Sequence, residues 1–277
     1  GCDFLYEDLK KCLVSIGQPI VHEIIAAVKE DINKKPNDWG TRVLFEALCE
    51  VRDPLAIPFF IETLQQSFSD QYTERDFKSL AISGLGKLKV HEALGMVARE
   101  LKSGNDPSIR YVAATALGQI GGGKAYAALE EKLMQSDEEY IERECLNSLH
   151  LIAFEGIKTD KCKLRTTQLF LRKSGPEEAF QIMYQAALEG EAWTTPFLFE
   201  ILPKIPLSQN FHYCVELLNT KDRIVFNGAL SFLNKITRLG LKLKFSDPAV
   251  KKQKAIQKIW EWYNGHYEGL RWCLKEK

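Results

Sequence analysis

Gly118-Gln119-Ile120-Gly121-Gly122-Gly123-Lys124-Ala125 comes within one residue of the glycine-rich loop that wraps backbone amides around nucleotide phosphates. That chemistry needs a strand before the loop and a hydroxyl after the lysine to hold magnesium. Here a helical pattern precedes the glycines and Ala125 has no hydroxyl, so the stretch reads as a turn between two helices. The outward amides at the start of the second helix could still rest a sulfate or phosphate. Lys251, Lys254 and Lys258 form a basic stripe at i, i+3 and i+7, with Lys242, Lys244 and Lys252 nearby and Trp260 and Trp262 following. Basic charge beside aromatic rings suits phosphate backbones and stacked bases, and residues 158–173 make a second basic stretch. The plain alternative is the wet face of a helix, with Trp260 continuing a buried seam of Ile256 and Ile259. Asp137, Glu138, Glu139, Glu142 and Glu144 surround Tyr140. Acids in a first turn are favoured by the helix dipole, which accounts for them without metal or acid–base chemistry. Nothing groups a Ser, Cys and His into a nucleophilic triad. No catalytic residue, metal ligand or cofactor is assigned.

The whole-chain balance narrows the classes. Lys plus Arg and Asp plus Glu each number 37 in 277 residues, and a chain built mainly to hold nucleic acid would carry a basic excess. With 45% hydrophobic residues the chain can bury ample core, yet no apolar run approaches a membrane span. The seven cysteines are Cys2, Cys12, Cys49, Cys145, Cys162, Cys214 and Cys273, and no two form a C-x-x-C pair. A zinc knuckle or thioredoxin-type site is therefore unsupported. Cys49 and Cys145 fall within or beside apolar helical stripes, where a free thiol acts as a small hydrophobe. Thiols kept this way suit a reducing compartment, so a cytoplasmic location is expected. The start Gly1-Cys2-Asp3 keeps open the alternative of an exported lipoprotein anchored through Cys2.

The elements that must position these residues repeat. Ala81-Ile82-Ser83-Gly84-Leu85-Gly86-Lys87-Leu88 aligns with Ala113-Ala114-Thr115-Ala116-Leu117-Gly118-Gln119-Ile120 at an offset of 32, and Ala93, Val97 and Leu101 align with Ala125, Leu129 and Leu133. Such a period marks stacked helical hairpins. In the clearest copy Asp106 caps a helix with Pro107 at its first position. Helix A carries Ile109, Val112, Ala113, Ala116, Leu117 and Ile120 on one stripe, Gly121-Gly122-Gly123 closes it, and helix B follows with Ala125, Ala128, Leu129 and Leu133. Other copies place Leu44, Ala47, Leu48 and Val51 before Ala56, Phe60 and Leu64. Cys145, Leu146, Leu149 and Ile152 sit another 32 residues beyond Ala113, Ala114, Leu117 and Ile120. Leu13, Ile16 and Gly17 ahead of Pro19, Ile20, Ile24 and Val28 give a degraded first hairpin. Later, Ser174-Gly175-Pro176-Glu177, Thr195-Pro196 and Asp247-Pro248 read as helix starts, and Ile224, Gly228, Leu230, Phe232 and Leu233 as a further helix A. No segment alternates like an amphipathic strand.

The segment from Asp106-Pro107-Ser108-Ile109-Arg110 through Leu117-Gly118-Gln119-Ile120-Gly121 to Leu133 resembles the HEAT-like repeats first described in phycobilisome lyases. Those share an Asp-Pro-x-Val-Arg opening, alanines, Leu-Gly and a glycine turn. The likeness is good over residues 37–155, and the Asp247-to-Trp262 helix looks like the paired-tryptophan helix that ends some bacterial proteins of this type. The resemblance implies an all-α solenoid, an armadillo-type superhelix of about seven hairpins. Residues 1–155 would be regular repeats, with 1–36 a degraded capping unit, and 156–277 irregular repeats continuing the stack. Members include chromophore lyase subunits, a DNA alkylation glycosylase, a deoxyhypusine hydroxylase and many scaffolds. Arg110 holds the family's basic position, but Thr41, Lys78 and Glu142 stand at the matching places, so no continuous Asp/Arg ladder runs along the stack. His22-Glu23 and His91-Glu92 resemble the hydroxylase's iron-binding pairs, which sit in helix A. Here they fall in or beside helix B, are too few, and lack the His-Glu-x-x-His spacing of a zinc site.

These readings converge on a non-catalytic scaffold that recognises a protein or peptide partner on a long, shallow surface. The resemblance puts helix B on the concave side, so its non-core positions Phe59, Glu62, Glu92, Met96, Arg99, Tyr126, Glu130 and Lys132 are the expected contacts. Two alternatives stay open: a nucleic-acid-binding module using Lys251, Lys254 and Lys258, and a lyase- or glycosylase-type enzyme. The small residues of the repeat make one prediction. Ala116→Leu should overpack the helix seam and cost roughly 1–3 kcal/mol in a chemical denaturation titration.

Overall fold

A computed structural model describes residues 2–32, 39–68, 70–189, 198, 201–202, 207–220 and 222–273. Among the described residues the regular structure is helical, with no strand. The chain divides into two compact units, Gly1–Thr166 and Thr167–Lys277.

The first unit is built from helix pairs. They are α1 (Cys2–Ile16) with α2 (Val21–Asp31), α3 (Trp39–Val51) with α4 (Ile57–Gln65), α5 (Gln71–Lys87) with α6 (Leu94–Ser103), and α7 (Pro107–Ile120) with α8 (Gly122–Gln135). Then come α9 (Glu139–His150), a π-helical turn Leu151–Ile157, and the start of α10 (Asp160–Lys173). Contacts run in series. The first helices stack α1 on α3, α3 on α5, α5 on α7 and α7 on α9, and each of α2, α4, α6 and α8 leans on the first helix of the next pair. This is an all-α solenoid of helical hairpins, in which neighbours supply each other's core.

Local chemistry starts and stops the helices as the sequence suggests. Asp106 accepts a hydrogen bond from the Ser108 amide at 2.7 Å, Asp70 from that of Thr73 at 2.9 Å, and Asp53 from that of Leu55 at 2.8 Å. Gly121, at φ 75°, is by itself the break between α7 and α8; Gly122 and Gly123 already belong to α8. The expected stripe of α7 is buried, with Val112 half-buried and Ala114 and Gly118 added to it. Around Phe45 the seam is aromatic: its ring lies 5.1 Å from Phe59, 5.6 Å from Phe60 and 5.7 Å from Phe77.

The repeated Leu-Gly pair sets the spacing of the first helices. A methyl group on Gly86 would lie 2.8 Å from the Cα and Cβ of Ala116, and one on Gly118 would lie 2.6 Å from Oγ and 2.8 Å from Cβ of Ser148. Each glycine thus touches the first helix of the following pair, 30 residues on.

In the second unit α11 (Pro176–Glu189), α12 (Leu207–Glu216), α13 (Arg223–Thr237) and α14 (Ala249–Cys273) follow the last part of α10. Three bonds tie α11 to α12 and its following turn at spacings of 32 or 33 residues: Gln181 to Tyr213, Tyr184 to Glu216, and Thr220 Oγ1 to the Ala187 carbonyl. The hairpin spacing therefore persists where the apolar pattern loosens. Asp222 caps α13 through the Ile224 and Val225 amides, which turns Ile224 outward to 63% exposure. The buried stripe is Val225, Phe226, Ala229, Leu230 and Leu233, which corrects the one expected from Ile224, Gly228 and Phe232. Asp247 closes its own loop by accepting from the Lys244 amide at 2.7 Å. The expected start at Thr195-Pro196 lies outside the described residues.

The glycine contacts predict a contrast in thermal melts followed by circular dichroism. Gly86→Ala, facing backbone, should destabilise by roughly 1–3 kcal/mol. Gly118→Ala, facing the Cβ and Cα of Ser148, should cost a similar amount. Gly123→Ala, whose added methyl meets nothing within 4 Å, should be neutral or stabilising.

Candidate partner-binding face

The second helices of the first unit carry a row of polar links from pair to pair. Lys29 on α2 meets Glu62 on α4 at 2.5 Å, Gln65 on α4 reaches the Met96 sulfur on α6 at 3.4 Å, and Lys102 on α6 meets Glu131 on α8 at 2.8 Å. Glu130 on α8 accepts from Arg165 on α10 at 2.6 Å. The expected contacts Glu62, Glu92, Met96, Arg99, Glu130 and Lys132 all reach this surface, exposed or half-buried.

Two do not. Phe59 is 4% exposed and Tyr126 is 8% exposed. Phe59 joins the aromatic seam with Lys29 Nζ 5.8 Å from its ring centre, and the Tyr126 hydroxyl bonds Thr166 Oγ1 at 3.0 Å. Both were expected outside the core because a narrow helix B stripe leaves them out. The buried arc is wider, covering Phe59, Phe60, Thr63 and Leu64 on α4, and Ala125, Tyr126, Leu129 and Leu133 on α8. A helix pressed by its own partner and by the next pair hides more than one seam.

Arg99 and Lys132 come together at a groove of about 270 Å³ between α6 and α8. Its floor is Gly95, Ala98, Leu101 and Ala128; its walls are Arg99, Lys102, Glu131, Lys132 and Gln135. Small residues open the floor, and three cations face one carboxylate that Lys102 already occupies. Lys132 also lies 3.9 Å from Glu138, while Arg99 projects exposed. Lys102, Glu131 and Gln135 were not foreseen as site residues, although small Gly95, Ala98 and Ala128 one turn apart on facing helices are the sequence trace of the opening.

The other candidates fall elsewhere. Lys251, Lys254 and Lys258 are exposed on α14 opposite buried Ala255, Ile256 and Ile259, with Lys251 paired to Asp247 at 2.8 Å. Trp260 and Trp262 are half-buried beside Phe211, each 6.0 Å from its ring, so both are committed to packing. His22-Glu23 begins α2 and His91-Glu92 a short turn before α6. Among the described residues no three His, Cys, Asp or Glu side chains converge as metal ligands would. The acids near Tyr140 do more than favour a dipole. Glu138 accepts from Arg110 at 2.6 Å and from the Tyr140 hydroxyl at 3.2 Å, and Glu144 accepts from Thr115 at 2.6 Å, clamping α9 to α7. Hydrogen bonding to Arg110 holds the Glu138 carboxyl below its ordinary value, and Lys87 does the same for Glu50. No single described helix is long and apolar enough to cross a membrane.

Residues 61–149 match a family model described as HEAT repeats. The matched stretch runs from α4 to α9 and contains the groove and both Leu-Gly contacts. No curated protein matches the chain.

The Arg110–Glu138 clamp gives a pH dependence. A carboxyl held low in the folded protein takes up its proton first in the unfolded chain as pH falls. Its stabilisation is complete above the ordinary carboxylate value of about 4.3 and is lost as pH drops through the folded-state value. Glu138→Gln should therefore flatten the loss of unfolding free energy below about pH 5, measured by urea titrations across the acid range.

Proposed function

We propose that the protein is a non-catalytic scaffold that binds a protein or peptide partner along its second-helix face, with the α6–α8 groove at the centre and Glu62, Glu92, Met96, Arg99, Glu130 and Lys132 as contacts. The observation carrying this reading is the groove itself: a small-residue floor walled by Arg99, Lys102 and Lys132. At about 270 Å³ it falls below the usual size of a small-molecule pocket. It suits one or two side chains of a longer ligand that continues over the neighbouring helices. The match to HEAT repeats agrees with this, since stacked hairpins give long surfaces for extended partners. Asp106-Pro107, Arg110 and Leu117-Gly118 support placing the repeats with those of the phycobilisome-lyase kind, and the buried free thiols of Cys49, Cys145 and Cys214 suit a reducing, cytoplasmic setting.

The test is affinity capture with the whole chain as bait. Wild type should retain a protein partner after nuclease treatment. Arg99→Glu with Lys102→Glu should lose it by at least about tenfold, a cost in the range for truncated charge contacts, while Lys251→Glu with Lys254→Glu keeps it. Loss confined to the α14 variant, or abolished by nuclease, would replace this reading with nucleic-acid binding.

A further inference from the structure

A second cleft in the first unit shares no lining residue with the groove. It holds about 630 Å³ and opens where the first helices end: Arg52 follows α3, Lys87 and Lys89 end α5, Gly121 and Gly122 join α7 to α8, and Glu155 lies in the π-helical turn. That volume is within the range of small-ligand pockets. Lys87 is neutralised by Glu50 at 2.7 Å. Among the described residues Lys89 has no ion pair, Arg52 is exposed beside Glu50, and Glu155 is the single acid of the lining. The lining therefore carries a cationic excess in a chain whose net charge is zero.

The way these cations are held is unusual. Among the described residues, every non-glycine at positive φ is basic: Arg52 at 54°, Lys89 at 53°, Lys158 at 56° and Arg238 at 56°. Glycine adopts this conformation freely and an L side chain does not. At two of the turns around the cleft the chain accepts the strained form and places a cation at the rim. At the third it places Gly121 and Gly122, with open space where side chains would stand. The first amides of α8 have no side-chain cap and so remain available as donors.

These donors come from three successive hairpins. First helices pack roughly 8–10 Å apart, so the row from Arg52 through Lys89 to Gly122 is too long for one phosphate but within reach of a chain of them once the side chains extend inward. We propose that this cleft binds a small ligand carrying linked phosphates, gripped by Arg52 and Lys89 at one end and the Gly122 amide at the start of α8 at the other. The inference goes beyond the scaffold reading and does not depend on it. It assigns binding alone: Ala125 offers no hydroxyl for a magnesium-assisted reaction.

The test is isothermal titration of the whole chain with sodium tripolyphosphate and, separately, inorganic phosphate. Tripolyphosphate should bind saturably, one to one, and about tenfold or more tighter than phosphate. Arg52→Gln with Lys89→Gln should weaken it by about tenfold, whereas Lys251→Gln with Lys254→Gln, removing equal charge elsewhere, should leave it unchanged. Amide ¹⁵N–¹H shifts in the wild-type chain give a second readout, expected to concentrate on Gly121 and Gly122 and on the Arg52 and Lys89 turns. No saturable binding, equal affinity for both anions, equal loss in the α14 variant, or shifts spread over the surface would each overturn the proposal. The first of these would leave Arg52 and Lys89 as helix-end caps.

Discussion

Where Gly86 meets Ala116 and Gly118 meets Ser148, one first helix lies so close to the next that a single methyl group has no room. That approach sets the register of the first unit. With the glycine placed against the following helix, the apolar residues on either side can mesh only one way, and the turn that follows delivers the second helix to its position. The contact recurs at a constant 30-residue step, so the arrangement is propagated by neighbours and needs no centre. The α6–α8 groove and the cleft at the helix ends both depend on it, because each is a gap between successive pairs.

Much of this was legible in the sequence where the cause is local. Asp106, Pro107 and Gly121 act within a few residues of themselves, and the Leu-Gly spacing is a direct imprint of helix contact. Phe59 and Tyr126 could not be placed this way, since the width of a buried arc depends on how many neighbours press on the helix. Ile224 fails for a different reason: the cap at Asp222 fixes the phase of α13, and a hydrophobic side chain is carried outward by it. The second unit hid its regularity because Gln181, Tyr184 and Thr220 carry the repeat in polar bonds, which an apolar pattern does not register. Arg52 and Lys89 were missed because the sequence gives no reason to expect a side chain where glycine is at ease.

A net charge of zero conceals an ordered distribution. Much of the charge is spent between neighbouring pairs: Arg42 with Asp76, Lys87 with Glu50, Lys29 with Glu62, and Arg110 with Glu138. The exposed one, Lys29 with Glu62, contributes only about 0–1 kcal/mol, so its effect is on alignment more than on stability. Among the described residues, Arg99 at the groove and Arg52 and Lys89 at the cleft are cations that no such pair takes up.

The thiols carry a separate consequence. Cys49 in α3 donates to the Leu80 carbonyl of α5 at 3.3 Å, and burial raises its pKa to about 12, as it does for Cys145 in α9. A sulfur so shielded has almost no thiolate at neutral pH and reacts only when its own hairpin swings open. With the other five cysteines, Cys2, Cys12, Cys162, Cys214 and Cys273, silenced, alkylation at Cys49 and at Cys145 becomes a pair of clocks near opposite ends of the first unit, reporting which end of the stack breathes first.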